Sequence, residues 1–559
     1  MALAFALMGV ILYGSQWVYK KLGYAVPGST DTKSQTAKPA AAQTTSATAS
    51  KTSANAPLAP GGPTAPAAPV VASNETEFTL ETAVYHVVFT NRGAAVKSWT
   101  LRKFEDSHGK PLELVNAKGA QKVGWPFTYE FRNQKPTTDL NTALWVPKPS
   151  ADGTGITYEF SDGQTTAFKT FAFTKSGYLV QLADEVKVGS QGIPHLFQWR
   201  GGFGDMAVDS PESHQASIHY DLEKNKLVSE AAKAAKDGPF RQDGQFSFAG
   251  IEDQYFTAVF LAPLTNQLRT TTFYDQVATA TKSGEEPFPG VSAGGEARNQ
   301  LGLFVGPKQL NELQAVNPKL QNVIDWGWFG LIAKPLFLVL QWMTSGFVPN
   351  YGWAIIVLTI AINIAMFPLK LANLKSMRKM QALQPQLAKI NEKYKGLSMT
   401  DPKAQNKQAE TMALYKENGV NPMGGCLPML IQLPFLYAFY KVLSVTVELR
   451  HADWLWVTDL SQPEQIAIRV LPIVMVASSF LMQKMTPMTG ADPSQQKMMQ
   501  FMPLMWGYFF WSASSGLVLY WLTSNVVGIA QQWFFNKTSA PNMVIKTPPT
   551  TQRDGRKKA

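Results

Sequence analysis

Two textures alternate along the chain. From residue 75 to about 305, apolar and polar side chains alternate in short runs such as "TAVYHVVFTNRGAAVKSWTL" and "GITYEFSDGQTTAFKTFAF". β-Branched and aromatic residues with period two predict strands, and "NRG" and "SDG" predict turns between them. Repeated across the segment, this predicts a large antiparallel β-sandwich. Residues 2–19 and much of the chain past 325 carry long apolar runs instead, near the length that crosses a bilayer. The pattern predicts a polytopic α-helical membrane body joined to a β-rich domain.

The division is into six parts. Residues 1–22 read as an uncleaved transmembrane anchor, because no basic segment precedes the apolar run and no A-x-A site follows it. Residues 23–74, rich in Ala, Pro, Thr and Ser without apolar period, read as a disordered tether. The sandwich takes 75–310, and 311–350 read as a linker with an interfacial helix at 331–347. A membrane core occupies 351–535, with spans at 352–369, 425–446, 466–483, 498–513 and 516–535. The basic tail is 536–559.

Charge orients the spans. Between 370 and 421 ten Lys/Arg face four acids, whereas 447–465 holds Glu448, Asp453, Asp459 and Glu464 against Arg450 alone. By the positive-inside rule the first loop and the tail lie in the cytoplasm and the second loop lies outside. The alternation closes only if 331–347 does not cross. The sandwich then lies outside, although Lys20 and Lys21 would hold their own end of the anchor inside. Within 370–420 two basic amphipathic segments predict a helical hairpin, with Pro385 as a kink and Pro402 opening the second helix. Its candidate recruitment residues are Lys375, Arg378, Lys379, Lys389 and Lys393.

Composition removes other classes. The net charge of +11 is concentrated beside apolar runs, without the aromatic interleaving of a single-strand binder. Cys426 is the only cysteine, so no intrachain disulfide is possible, and the six histidines lack metal-ligand spacing. There is no Walker loop, nucleophile elbow or HExxH. The sequence therefore predicts no enzyme, no metal and no cofactor.

Polar residues inside the spans carry the chemistry instead. "IVLTIAINIAMFPLK" places Thr359 and Asn363 one turn apart on one helix face. Arg469, Val476, Ser479 and Gln483 share a stripe, as do Trp521, Asn525, Gly528 and Gln532, with Tyr520 and Ser524 beside them; Gln432 lies in a further span. One such residue alone reads as a helix-to-helix hydrogen bond. Several together point to a shared hydrated cavity, which Asn363, about 9 Å from the inner loop at about 1.5 Å per residue, would open towards the cytoplasm. Clustered methionines, among them Met482, Met485 and Met505, suit gap-filling or a pliable surface for varied sequences.

The motifs "NPMGGCLPMLIQLPFLYAFYKVL", "SVTVELR", "DPSQQKMMQFMP" and "SGLVLYWLTSNVVGIAQQ" resemble those of the bacterial membrane protein insertase family, whose relatives serve mitochondria and chloroplasts. The likeness covers about 325–540, and the architecture before it resembles the Gram-negative form with a β-supersandwich in the periplasm. The resemblance implies an inner-membrane protein with a five-helix core. Its groove would open to cytoplasm and lipid and be lined by Thr359, Asn363, Gln432, Ser479, Gln483, Tyr520, Trp521, Ser524 and Asn525. It implies nascent membrane proteins, the Sec translocon, the ribosome and the lipid bilayer as partners. Aligned on "FPL", the family's groove arginine falls on Asn363, an amide; Lys370, two turns further, is the candidate to compensate in part. The rival readings are a secondary transporter, which predicts inverted repeats that the sequence lacks, and an envelope enzyme, for which no catalytic constellation is visible.

Overall fold

The computed structural model describes residues 69–208, 210–263, 267–279, 284–394, 402–419, 427–485 and 493–538. The expected anchor, nearly all of the tether, Cys426 and the end of the basic tail lie outside the described residues. Two compact units meet at Ile324 and Asp325. The first therefore runs past the expected boundary at 310, taking in helix α2 (Leu310–Val316) and a 3-10 turn at Leu320–Val323.

The first unit is a β-sandwich in which all strand pairs are antiparallel. Glu77–Glu81, Tyr85–Thr90, Ala95–Glu105 and Pro111–Glu113 form a four-stranded sheet in chain order, and a second sheet contains fourteen strands. Helix α1 (Ala117–Val123) follows the smaller sheet. Period-two alternation does what the sequence predicts. In Thr165–Phe173, residues 165, 167, 169, 171 and 173 are buried while the intervening positions are at least partly open. The sheets meet over aromatic rings. Tyr85 packs edge-on against Trp99, Phe173 and Tyr178, and its hydroxyl donates to the Tyr178 carbonyl at 2.9 Å and the Val305 carbonyl at 2.5 Å. Aromatic side chains bury the largest apolar areas, so such a core suits a domain without disulfides.

Among the buried polar side chains, one lysine stands out. Lys169 points inward and is wholly buried, and its ammonium donates to the carbonyls of Gly93, Ala94 and Phe127 at 3.1, 3.1 and 2.6 Å. All three acceptors sit at positive φ, at 71°, 47° and 67°. The lysine thus pairs carbonyls that irregular backbone withholds from the sheet ladders.

The second unit is helical. Helix α3 (Gly330–Gly346) buries Ala333, Phe337 and Leu340 while Trp342 is exposed. Asn350 caps α4 (Tyr351–Ala365), its side-chain oxygen accepting from the N–H groups of Gly352 and Trp353. The segment expected as a span at 352–369 is bent: the helix breaks at Met366 and the chain continues, turned by 57°, as α5 (Phe367–Ala382). Pro368 lies in the first turn of α5, and the residue before a proline is disfavoured in helical geometry. The same chemistry at Pro385 separates α5 from α6 (Gln384–Lys393). Helix α7 (Pro402–Glu417) returns against them, and Met380, Leu383, Leu387, Leu414 and Tyr415 make a small common core. That is the expected hairpin, with a core of its own.

Four further α-helices follow among the described residues: α8 (Leu427–Val445), α9 (Val470–Met485), α10 (Pro493–Trp511) and α11 (Ser515–Thr538). Residues 512–514 alone separate the last two, the expected tight turn. Helix α11 packs against both α4 and α9. Among the described residues no single helix is both long and apolar enough to cross a membrane alone; the bent pair α4 and α5 meets that standard together, on length and composition only. Ile364, Tyr508, Phe509, Val526, Trp533 and Phe534 are exposed, and apolar exposure on this scale marks a contact surface.

Candidate functional site: a polar seam between helices

Asn363 ends up neither in lipid nor unsatisfied. It is 4% exposed, and its amide donates to the Thr359 carbonyl at 2.8 Å and to the Ser524 hydroxyl at 3.3 Å. Its side-chain oxygen accepts from the Lys370 ammonium at 2.6 Å, and its carbonyl accepts from Gln531 at 3.1 Å. The bend at Met366 makes this possible, because it swings α5 so that Lys370 reaches back over seven residues. Thr359, fully buried, returns its hydroxyl to the Ile355 carbonyl at 2.6 Å.

A second polar layer joins α9 to α11. The Asn525 amide donates to Ser478 at 2.9 Å and to Ser479 at 2.8 Å, and both hydroxyls donate to the Met475 carbonyl. Gln532 reaches the Met485 carbonyl at 3.4 Å. Between the layers the helices approach closely: a Cβ on Gly528 would come within 2.9 Å of Met482 Cε. Small residues at such contacts let helices pack on hydrogen bonds and dispersion where lipid removes the hydrophobic drive.

The aromatic pair divides. Tyr520 stacks on Phe439 with centroids 4.4 Å apart, and its hydroxyl interacts with the side chains of Ser524 and Gln432. Trp521 faces α10 instead, 5.6 Å from Trp506 and 5.1 Å from Phe510. The stripes drawn from spacing need one correction. Trp521 keeps its place one turn before Asn525, with its ring packed on α10 while Asn525 bonds to α9. Arg469 lies one residue before α9, with its guanidinium on the Trp511 carbonyl and 5.6 Å from that indole. Gln483 is half-buried in α9.

The structure therefore brings Thr359, Asn363 and Ser524 into one cluster, Ser479 and Asn525 into the next, and Gln432 beside Tyr520. Sequence spacing passed over Gln531 and Ser478 and gave Lys370 only a compensating role. Gln531 adjoins Gln532 and had the same polar signal. No spacing rule foretells a lysine folding back across a bend. Of the hairpin residues, Lys375, Lys379, Lys389 and Lys393 are exposed, Lys393 pairing with Glu410 at 2.5 Å. Arg378 turns away towards the end of α11. No cluster of His, Cys, Asp and Glu fit for a metal occurs among the described residues.

Residues 342–542 match the model of the 60Kd inner membrane protein family, and residues 77–339 match the YidC periplasmic domain. The membrane protein insertase YidC of Syntrophus aciditrophicus (strain SB) is 36% identical, over 83% of this chain and 85% of its own. That of Geobacter sp. (strain M21) is 33% identical, over 83% and 86%. Among solved structures, an active YidC insertase with its first transmembrane domain resolved aligns over 83% of this chain and 93% of its own, at 18% identity and a TM-score of 0.35. The chain, with a β-sandwich periplasmic domain followed by a helical region, belongs to the YidC membrane protein insertase family.

Proposed function

We propose that the chain inserts membrane proteins without enzymatic catalysis, alone or with the Sec translocon, using the polar seam as the inner wall of a groove. The observation that carries this reading is the joining of Asn363, Lys370, Ser524 and Gln531 across three helices whose other faces leave Ile364 and Val526 exposed. A substrate's short polar tail exchanges hydrogen bonds with the seam and so avoids crossing the full hydrocarbon thickness unaided. Its apolar segment meanwhile slides along the exposed apolar face into lipid. Each Leu, Ile or Phe at mid-bilayer contributes roughly −0.3 to −0.6 kcal/mol, so about twenty supply roughly 6 to 12 kcal/mol without ATP.

In this reading five segments of 351–535 cross the inner membrane, with the α4–α5 bend near the cytoplasmic face and α3 lying in the interface. The sandwich stands in the periplasm behind an N-terminal anchor, and the C-terminus is cytoplasmic. Charge asymmetry between 370–421 and 447–465 supports the orientation. The basic hairpin recruits ribosome-bound nascent chains. Thr359, Gln432, Ser479, Gln483, Tyr520, Trp521 and Asn525 line the path beside Asn363 and Ser524.

The test is insertion of a small single-span substrate by variants with Asn363→Leu and Asn363→Arg. Leucine is expected to cut insertion severely and arginine to preserve it. Unchanged insertion with leucine would remove the seam from the mechanism. Deleting residues 75–300 is expected to leave insertion working.

A further inference from the structure

A polar hollow, of about 260 Å³, lies where α5, α9 and α11 converge. Arg378, Gln381, Lys484, Gln532 and Asn536 line it, with Met485 among its apolar side chains and, among the described residues, no carboxylate in its wall. At roughly 30 Å³ per water molecule the space exceeds any single hydration site. The Arg378 guanidinium is held in place: Nη2 donates to the Phe535 carbonyl at 3.3 Å and to Asn536 at 3.0 Å, and the group lies 4.2 Å from the Phe535 ring. Lys484 projects from the last turn of α9, and Gln532 is buried.

Cations near helix C-termini ordinarily offset the macrodipole. Lys484 does so for α9 and Lys537 for α11. Arg378 comes from a different helix and exceeds that need. A fixed guanidinium, an exposed ammonium and three amides around one hollow match the oxygens of a phosphate ester, which a guanidinium binds through two oxygens at once. Basic pockets between membrane helices on the cytoplasmic side hold lipid headgroups in this way.

We propose that this hollow is a phosphate-ester site, filled from the inner leaflet by the headgroup of an anionic phospholipid. The assignment rests on the orientation under Proposed function, which puts the ends of α9 and α11 at the cytoplasmic face. Bound there, the headgroup ties the base of the hairpin, through Arg378, to the two helices that carry the second polar layer.

The experiment uses the delipidated full-length protein in detergent, with phosphatidylglycerol, phosphatidylcholine and glycerol 3-phosphate as probes and native mass spectrometry as readout. Phosphatidylglycerol is expected to bind at least tenfold more tightly than phosphatidylcholine. Lys484→Gln and Arg378→Gln are each expected to weaken it about tenfold, as loss of one charge-assisted contact of about 1.4 kcal/mol would. Lys416→Gln, which removes the same charge from the exposed surface of α7, is expected to change nothing. Should Arg378→Gln unfold, Lys484→Gln alone decides. Equal phosphatidylglycerol binding by wild type and Lys484→Gln would overturn the site, and tighter binding of glycerol 3-phosphate than of the lipid would overturn the lipid as occupant. Asn363→Leu is expected to bind lipid like wild type, which separates this site from insertion itself.

Discussion

The Lys370 ammonium lies 2.6 Å from the Asn363 amide oxygen, across the bend that separates α4 from α5. A cation therefore reaches the position where the family resemblance leads one to expect an arginine, but it arrives from the next helix. The amide serves as its docking point, and the two residues form one hydrogen-bonded pair.

The first prediction separates charge from position. Lys370→Met is expected to lower insertion of a single-span substrate with acidic residues in its translocated tail by about tenfold, one charge-assisted hydrogen bond's worth. A neutral-tailed substrate is expected to lose far less. Adding Asn363→Arg to Lys370→Met is expected to restore the acidic substrate. In vitro insertion into vesicles, scored by protease protection, reads all three. Equal losses for both substrates would show that charge is irrelevant here.

The hairpin makes a different demand. Replacing Lys375, Lys379, Lys389 and Lys393 together by Gln is expected to weaken binding of ribosome–nascent-chain complexes at low ionic strength. The difference is expected to shrink as salt shortens the screening length from about 10 Å at 0.1 M to about 3 Å at 1 M. Co-sedimentation across a salt series tests it. The fold of the hairpin is expected to survive, because its core of Leu383, Leu387 and Leu414 is untouched.

Lys169 gives the sandwich a pH dependence. Burial pushes its ammonium down to about 7 from 10.5. Below about 7 the folded and unfolded chains both carry the proton, and the cost of burying the charge is borne in full without a slope. Between about 7 and 10.5 only the unfolded chain keeps it, so this group makes stability rise with pH. Lys169→Met is expected to abolish that rise. It also leaves three carbonyls unpaired at about 1–3 kcal/mol each, so it destabilises the sandwich most clearly above about pH 10.5, where no charge burial remains to be relieved. Hydrogen exchange of the 165–173 strand, corrected for intrinsic rates, measures both effects.

At the other end of α4 the contact is steric. A Cβ on Gly352 would stand 2.2 Å from Trp454 Cδ1, against a ring that also packs on Trp353. Gly352→Ala is expected to displace the indole and destabilise the helical unit by roughly 1–3 kcal/mol, the usual cost of overpacking. A lowered thermal midpoint in detergent, with changed tryptophan emission, checks it.

How much of this was legible depends on the range of the physics. Period-two burial and the apolar runs are local, and they located the sandwich and most helices. Prolines were harder. Pro368 and Pro385 end helices, whereas Pro335, Pro434 and Pro503 lie inside continuous ones. The difference comes from what packs around each, which a single sequence does not encode locally. Thr359 and Asn363 were correctly placed on one face because i and i+4 are fixed by the helix. The same spacing puts Trp521 one turn before Asn525, but it does not tell that the indole packs on the aromatic wall of α10. Lys370 reaches Asn363 only through a bend of 57°, and the apolar run across Met366 conceals it.

Met482 rests on Gly528 where α9 and α11 come closest. An unbranched thioether against a bare backbone is a loose latch: rotation about its own bonds can vacate the gap while both helices stay where they are. Under the proposed function, a change of rotamer at this point adjusts how closely α9 and α11 fit, while Asn525 and Gln532 keep the two helices hydrogen-bonded on either side.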